Sequence, residues 1–119
     1  MDKIIASVSE IDELASKMIL LRDTNPALFG LIKKMADMHV KKSHDYALTG
    51  DPFFNFKRTA QIAGLTVNQV FRNFLGVKLA RLEALEAEGK EPACESVADT
   101  YFDHALYACL WAAFQEETK

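Results

Sequence analysis

Glu95, Asp99 and Asp103 stand four residues apart in the stretch Glu-Ser-Val-Ala-Asp-Thr-Tyr-Phe-Asp. On a helix that spacing stacks three carboxylates in one row. Around them lie Val97, Ala98, Tyr101, Phe102, Ala105, Leu106, Ala108, Cys109, Leu110 and Trp111, a pattern expected of a helix buried nearly all round. Leu106 and Leu110 share the acids' sector, so the row is expected on the flank of a packed face. Like charges at this spacing cost about 0.2–0.5 kcal/mol per pair on an exposed helix, and more when partly buried. A divalent cation, a set of Lys and Arg side chains, or protonation of one acid must offset that. The plainer explanation, acids favoured at a helix N-terminus, accounts for Glu95 and Asp99 but not for Asp103.

Cations answer them from elsewhere. Val67, Val70, Phe71, Phe74, Val77, Leu82 and Leu85 mark the expected buried face of another helix, and Lys78 and Arg81 fall in the middle of it. Such residues are almost never fully buried without a partner. A third helix end offers His39 and Lys42, with Asp45 and Tyr46 just beyond. Hard carboxylate oxygens with few His or Cys nearby suit magnesium, or manganese, rather than zinc. Lys and Arg beside such an ion would hold phosphates, and the chemistry using this set is attack of a metal-activated water on a phosphoanhydride. The competing explanation is a buried salt-bridge network, Lys78 and Arg81 with Asp99 and Asp103, holding helices in register.

The elements that must position these groups follow from caps and periodicity. Ser9-Glu-Ile-Asp12 reads as a capping box opening a helix to about Arg22, with Ile11, Leu14, Ala15, Met18 and Leu21 as its stripe. Asn25-Pro26 restarts a second helix, to about Tyr46, burying Leu28, Leu31, Ile32, Met35 and Met38. Asp51-Pro52 opens a short third helix, Phe53 to Ala63, ended by Gly64. Thr66 and Gln69 form a capping box for a fourth, to Glu88 and Gly89, and the fifth follows Glu91-Pro92. No segment alternates as a strand, so the expected fold is all-α, an antiparallel bundle of four long helices and one short one in a single domain spanning residues 1–119.

Half of the 119 residues are hydrophobic and 26% are charged, which argues against disorder. A net charge of −3 provides no basic field for nucleic acid or an anionic membrane. No apolar run approaches the roughly 20 residues that span a bilayer, and the N-terminus lacks a signal-peptide layout. Two cysteines, Cys94 and Cys109, read as reduced thiols of a cytoplasmic protein.

The motifs Lys-Ser-His-Asp45-Tyr46, Gly50-Asp-Pro-Phe-Phe-Asn55-Phe56, Lys78-Leu-Ala-Arg81-Leu and Glu95-Ser-Val-Ala-Asp99-Thr-Tyr-Phe-Asp103-His-Ala-Leu-Tyr107 together resemble the nucleotide-modification-associated domains of phages and bacteria. That family is similar to the all-α NTP pyrophosphohydrolases, which include the MazG-like and dimeric dUTPase-like enzymes. The resemblance covers about residues 41–112. It implies a helical, usually oligomeric protein of phage or prophage type that handles nucleotides with magnesium. Glu95, Asp99 and Asp103 would be the catalytic and metal-binding acids. Lys42, Asp45, Lys78 and Arg81 would serve the phosphates or the metal shell, and Asn55 and Tyr46 the base or sugar. The chain departs from the pyrophosphohydrolases in one respect. Their Glu-x-x-Glu helix pair has no clear counterpart, because Glu83, Glu86 and Glu88 cluster away from Lys78.

Two rivals remain at this level. One is a non-catalytic module that holds a nucleotide or cyclic nucleotide, as a phage protein sequestering a host defence signal would. The other is a helix-turn-helix DNA-binding protein, because Ala60, Gly64 and Val70 fall at that motif's spacings before Thr66-Val-Asn-Gln-Val-Phe-Arg. Against it stand Asn73, at a position where the motif wants an apolar residue, and the acidic balance.

Overall fold

The computed structural model describes residues 7–45, 50–89, 91–92 and 95–119. They form five helices, α1 (Val8–Thr24), α2 (Pro26–Ser43), α3 (Phe54–Ala63), α4 (Val67–Glu88) and α5 (Val97–Glu117), with no strand among the described residues. The protein is all-α, as expected, with four long helices and one short one among the described residues. No helix among the described residues is long and apolar enough to cross a membrane. The chain divides into two compact units, Met1–Asp45 and Tyr46–Lys119.

The first unit is a helical hairpin. Ser7, not Ser9, caps α1, its hydroxyl accepting the Glu10 N–H at 3.2 Å. Both serines have the chemistry for this role, and the earlier cap gains further helical residues with Glu10 in the first turn, where its charge suits the dipole. Asn25 ends α1 through its N–H to the Leu21 carbonyl at 2.7 Å and opens α2 by accepting the Leu28 N–H at 3.0 Å. Pro26 follows at the first helical position. The helix stops at Ser43, short of the expected Tyr46, which lies outside the described residues. Neither α1 nor α2 has a buried residue. Met18, Leu21, Phe29, Ile32, Met35 and Met38 are half-buried, whereas Ile11, Leu14, Leu28 and Leu31 are exposed. The buried stripes expected of these two helices are thus only half realised, because two helices alone enclose no interior.

The second unit has a small aromatic core of Phe53, Phe56, Ala60, Val70 and Phe71, against which Phe74, Tyr107, Trp111 and Phe114 pack. Phe56 stacks on Phe71 with ring centroids 4.2 Å apart, and Phe53 meets Phe114 edge-on at 5.5 Å. Asp51 shapes the entry to α3 without capping it. Its carboxylate accepts the Phe53 N–H at 2.9 Å and pairs with Lys57 at 2.7 Å. The Lys57 hydrogen bond holds the Asp51 carboxyl below its ordinary pKa. Gly64, at φ +68°, turns the chain between α3 and α4, a conformation that favours glycine. Thr66 and Gln69 then form the expected capping box, with reciprocal bonds of 3.1 and 2.9 Å.

Two expected buried surfaces are overturned here. Val77 is 66% exposed, so the inward stripe of α4 is narrower than its apolar residues suggest. On α5 only Thr100, Phe102 and Leu106 are buried. An apolar circumference does not supply neighbours on every side, and the outer faces of α5 are built of small residues such as Ala98, Ala108 and Cys109, all exposed. Phe71, fully buried, carries the core. Phe71→Ala should lower unfolding stability by about 3–5 kcal/mol in urea titrations, whereas Val77→Ala should change it by no more than about 0.5 kcal/mol.

Candidate functional site

Helices α4 and α5 meet along an antiparallel seam whose rungs change character from end to end. At one end Asn68 Oδ1 accepts from Trp111 Nε1 at 2.8 Å and from Gln115 Nε2 at 2.6 Å. Next, Phe71 lies parallel to Trp111 with centroids 6.2 Å apart, and Phe74 stacks on Tyr107 at 5.1 Å. One turn further along α4, Lys78 Nζ lies 2.9 Å from Asp103 Oδ2 and 3.3 Å from Glu95 Oε1. At the far end Arg81 donates through Nε to Thr100 Oγ1 at 3.1 Å and through Nη2 to the Glu95 carbonyl oxygen, with its Nε 3.6 Å from Glu95 Oε2. Residues 71, 74, 78 and 81 of α4 therefore face 111, 107, 103 and 100 of α5, at the three- and four-residue steps a helix requires.

The structure thus brings together four of the residues singled out from sequence, Lys78, Arg81, Glu95 and Asp103, but not as the expected vertical row. Glu95 precedes α5, whose N-cap is Ser96, so it approaches Lys78 and Arg81 from the entry turn. Asp99 sits in the first turn and is exposed, with its N–H donated to Ser96 Oγ at 3.0 Å. The face of α5 that meets α4 runs through Thr100, Asp103 and Tyr107, and shares only Asp103 with the 95–99–103 row. Lys42 and Asp45 belong to the end of the first unit's hairpin, where the Asp45 N–H bonds to the Lys42 carbonyl at 2.9 Å. Asn55 lies exposed in the first turn of α3, and Tyr46 falls outside the described residues.

Thr100 was not signalled by the sequence. It is fully buried, accepting from Arg81 and donating to the Ser96 carbonyl at 3.2 Å. Its only trace is a lone hydroxyl four residues after a serine cap.

The cluster balances itself, two cations against two carboxylates. Lys78 is only 20% exposed. Its hydrogen bond to Asp103, aided by Glu95, holds the ammonium pKa above the ordinary value, against desolvation pulling the other way. Among the described residues, no group of three or more His, Cys, Asp or Glu side chains is arranged to hold a metal ion. Glu95 and Asp103 converge on the Lys78 ammonium rather than on one another. As arranged, the donor set does not fit a preformed magnesium or manganese site.

Beside the charged end of the seam, Leu82, Leu85, Glu86, Pro92, Val97 and Tyr101 line an open cleft of about 360 Å³. No family model, curated protein or solved structure matches this chain. At the opposite end, Ala60 and Val70 are buried around Gly64, but two polar residues of the would-be recognition helix turn onto α5. Asn68 is bound by Trp111 and Gln115, and Arg72 lies over the Trp111 ring at 5.9 Å.

Thr100→Val should cost about 1–3 kcal/mol, because it leaves Arg81 Nε without its acceptor, while Thr100→Ser should stay near wild type. For Lys78 the folded pKa lies above the unfolded one, so its contribution is complete below the unfolded value and fades as pH rises through the folded one. The stability gap between wild type and Lys78→Met should therefore be flat near neutrality and shrink above about pH 10.5.

Proposed function

We propose that this protein binds a nucleotide at the charged end of the α4–α5 seam, and that it holds the ligand rather than hydrolysing it. The observation that carries the reading is Lys78, a partly exposed ammonium shared by Glu95 and Asp103, with Arg81 one turn away and an open, Tyr101-walled cleft alongside. At about 360 Å³ the cleft is near the lower end of the range for small-ligand pockets. Glu86 and Glu91 give it acidic edges, so the phosphates belong on the Lys78–Arg81 side and the base against Tyr101. Because the cluster carries no net charge, a phosphate would gain by replacing a carboxylate on Lys78 or Arg81, not by attraction to a basic field.

The same balance weighs against turnover. Hydrolysis of a phosphoanhydride on this scaffold would call for free carboxylates to activate a water, and Glu95 and Asp103 are already engaged by cations. The resemblance to pyrophosphohydrolase relatives supports the ligand class and keeps magnesium-dependent hydrolysis as the second reading.

Thermal-shift measurements on the full chain, against nucleoside mono-, di- and triphosphates with and without magnesium chloride, test this directly. A ligand at a hundred times its Kd should stabilise the fold by about 2.7 kcal/mol, a rise of several degrees in Tm. Lys78→Met and Tyr101→Ala should each abolish the shift while retaining helical circular dichroism. No shift with any nucleotide, or an unchanged shift in Lys78→Met, overturns the assignment. Magnesium-dependent release of pyrophosphate would establish the hydrolytic reading in its place.

A further inference from the structure

The α1–α2 hairpin keeps its two helices in contact yet buries no side chain. Ile11 and Leu14 on α1 are 55% and 57% exposed, and Leu28 and Leu31 on α2 are 43% and 44% exposed. Each pair lies on the same stripe as the half-buried methionines and leucines that join the helices. On α1 the stripe takes in Ile11, Leu14, Met18 and Leu21, and on α2 Leu28, Leu31, Met35 and Met38. The apolar surface therefore continues past the line where α1 meets α2, beyond what the hairpin itself covers.

Charge is divided between the two helices. α1 carries Glu10, Asp12, Glu13 and Asp23 against Lys17 and Arg22, a net −2. α2 carries Lys33, Lys34, Lys41 and Lys42 against Asp37, a net +3. The ion pairs Glu13–Lys17, Arg22–Asp23 and Lys33–Asp37 each stay within one helix.

We infer that this face is the interface between two copies of the chain, whose hairpins combine into one four-helix bundle about a two-fold axis parallel to the helices. That axis places the helices in the order α1, α2, α1, α2 around the bundle. Every neighbour is then antiparallel, as in an up-down bundle, and every neighbour is also of opposite net charge. The contact is isologous, since one surface meets itself turned by the dyad. A second hairpin supplies what the stripe lacks, an apolar surface of the same length and period. On that stripe Ile11, Leu14, Leu28 and Leu31 are all more than 40% exposed.

Sedimentation velocity and light scattering of the full chain between about 1 and 100 μM test the inference. Wild type should run as a dimer, twice the 13.3 kDa chain mass. Leu14→Glu and Leu31→Glu should raise the dissociation constant by about a hundredfold or more, leaving monomer over most of that range. Leu20→Glu is the control. Leu20 is 63% exposed and lies on the side of α1 away from the stripe, so this variant should remain dimeric. If either glutamate variant loses its helical circular dichroism, Leu31→Ala serves instead, with an expected rise of about tenfold. A monomeric wild type, as would follow if the chain's own second unit covered the stripe, overturns the inference. So does a dimer indifferent to Leu14→Glu, Leu31→Glu and Leu31→Ala, or one that Leu20→Glu disrupts equally.

Discussion

The second unit depends on one seam. Helices α4 and α5 run antiparallel, and each rung sets the register of the next, from Asn68 with Trp111, through Phe71 and Phe74 with Trp111 and Tyr107, to Lys78 and Arg81 with Asp103, Glu95 and Thr100. The aromatic rungs supply apolar burial and are tolerant of small slides. The charged rungs supply little net energy once desolvation is counted, but they are directional. A shift of one helical turn would set Lys78 against Tyr107, move Arg81 from Thr100 to Asp103, and take both cations away from Glu95. The polar end therefore specifies the alignment that the aromatic middle stabilises.

That division of labour bears on function. A lysine held by two carboxylates is a structural clasp, and under the proposed reading it would also be the cation that an anionic ligand claims. Arg81 is more deeply committed, with its guanidinium spread over a buried hydroxyl, a main-chain carbonyl and a carboxylate. Of the two, Lys78 is the one that can change partners without leaving a buried group unsatisfied. Ligand binding at this end would be coupled to helix alignment, because the same ammonium serves both.

The two units differ in how they obtain an interior. In the second, aromatic residues from α3, α4 and α5 meet, and Phe71 and Thr100 are excluded from solvent. The first has a similar density of apolar residues, yet two helices cannot surround them. Its methionines and leucines are shared between the hairpin contact and an open face. Composition alone does not separate these cases.

Local chemistry was enough to place the elements. Asn25-Pro26, Thr66 with Gln69, and the glycines at 64 and 89 act within a few residues of themselves, so the helices α2 and α4 begin, and α3 and α4 end, where those signals stand. The meeting of Lys78 and Arg81 with an acidic partner was also legible, since cations on an apolar stripe require one. What the sequence left open was which acids those would be and from where they come. Helical periodicity put Glu95, Asp99 and Asp103 in one row, but Ser96 starts the helix after Glu95, and the face turned toward α4 is set by Tyr107, Trp111 and Phe114 packing on Phe71 and Phe74. That rotation of α5 about its own axis brings Asp103 and Thr100 inward and leaves Asp99 outside. Only tertiary packing could decide it, because a helix apolar on nearly every side carries no local signal for which side is in.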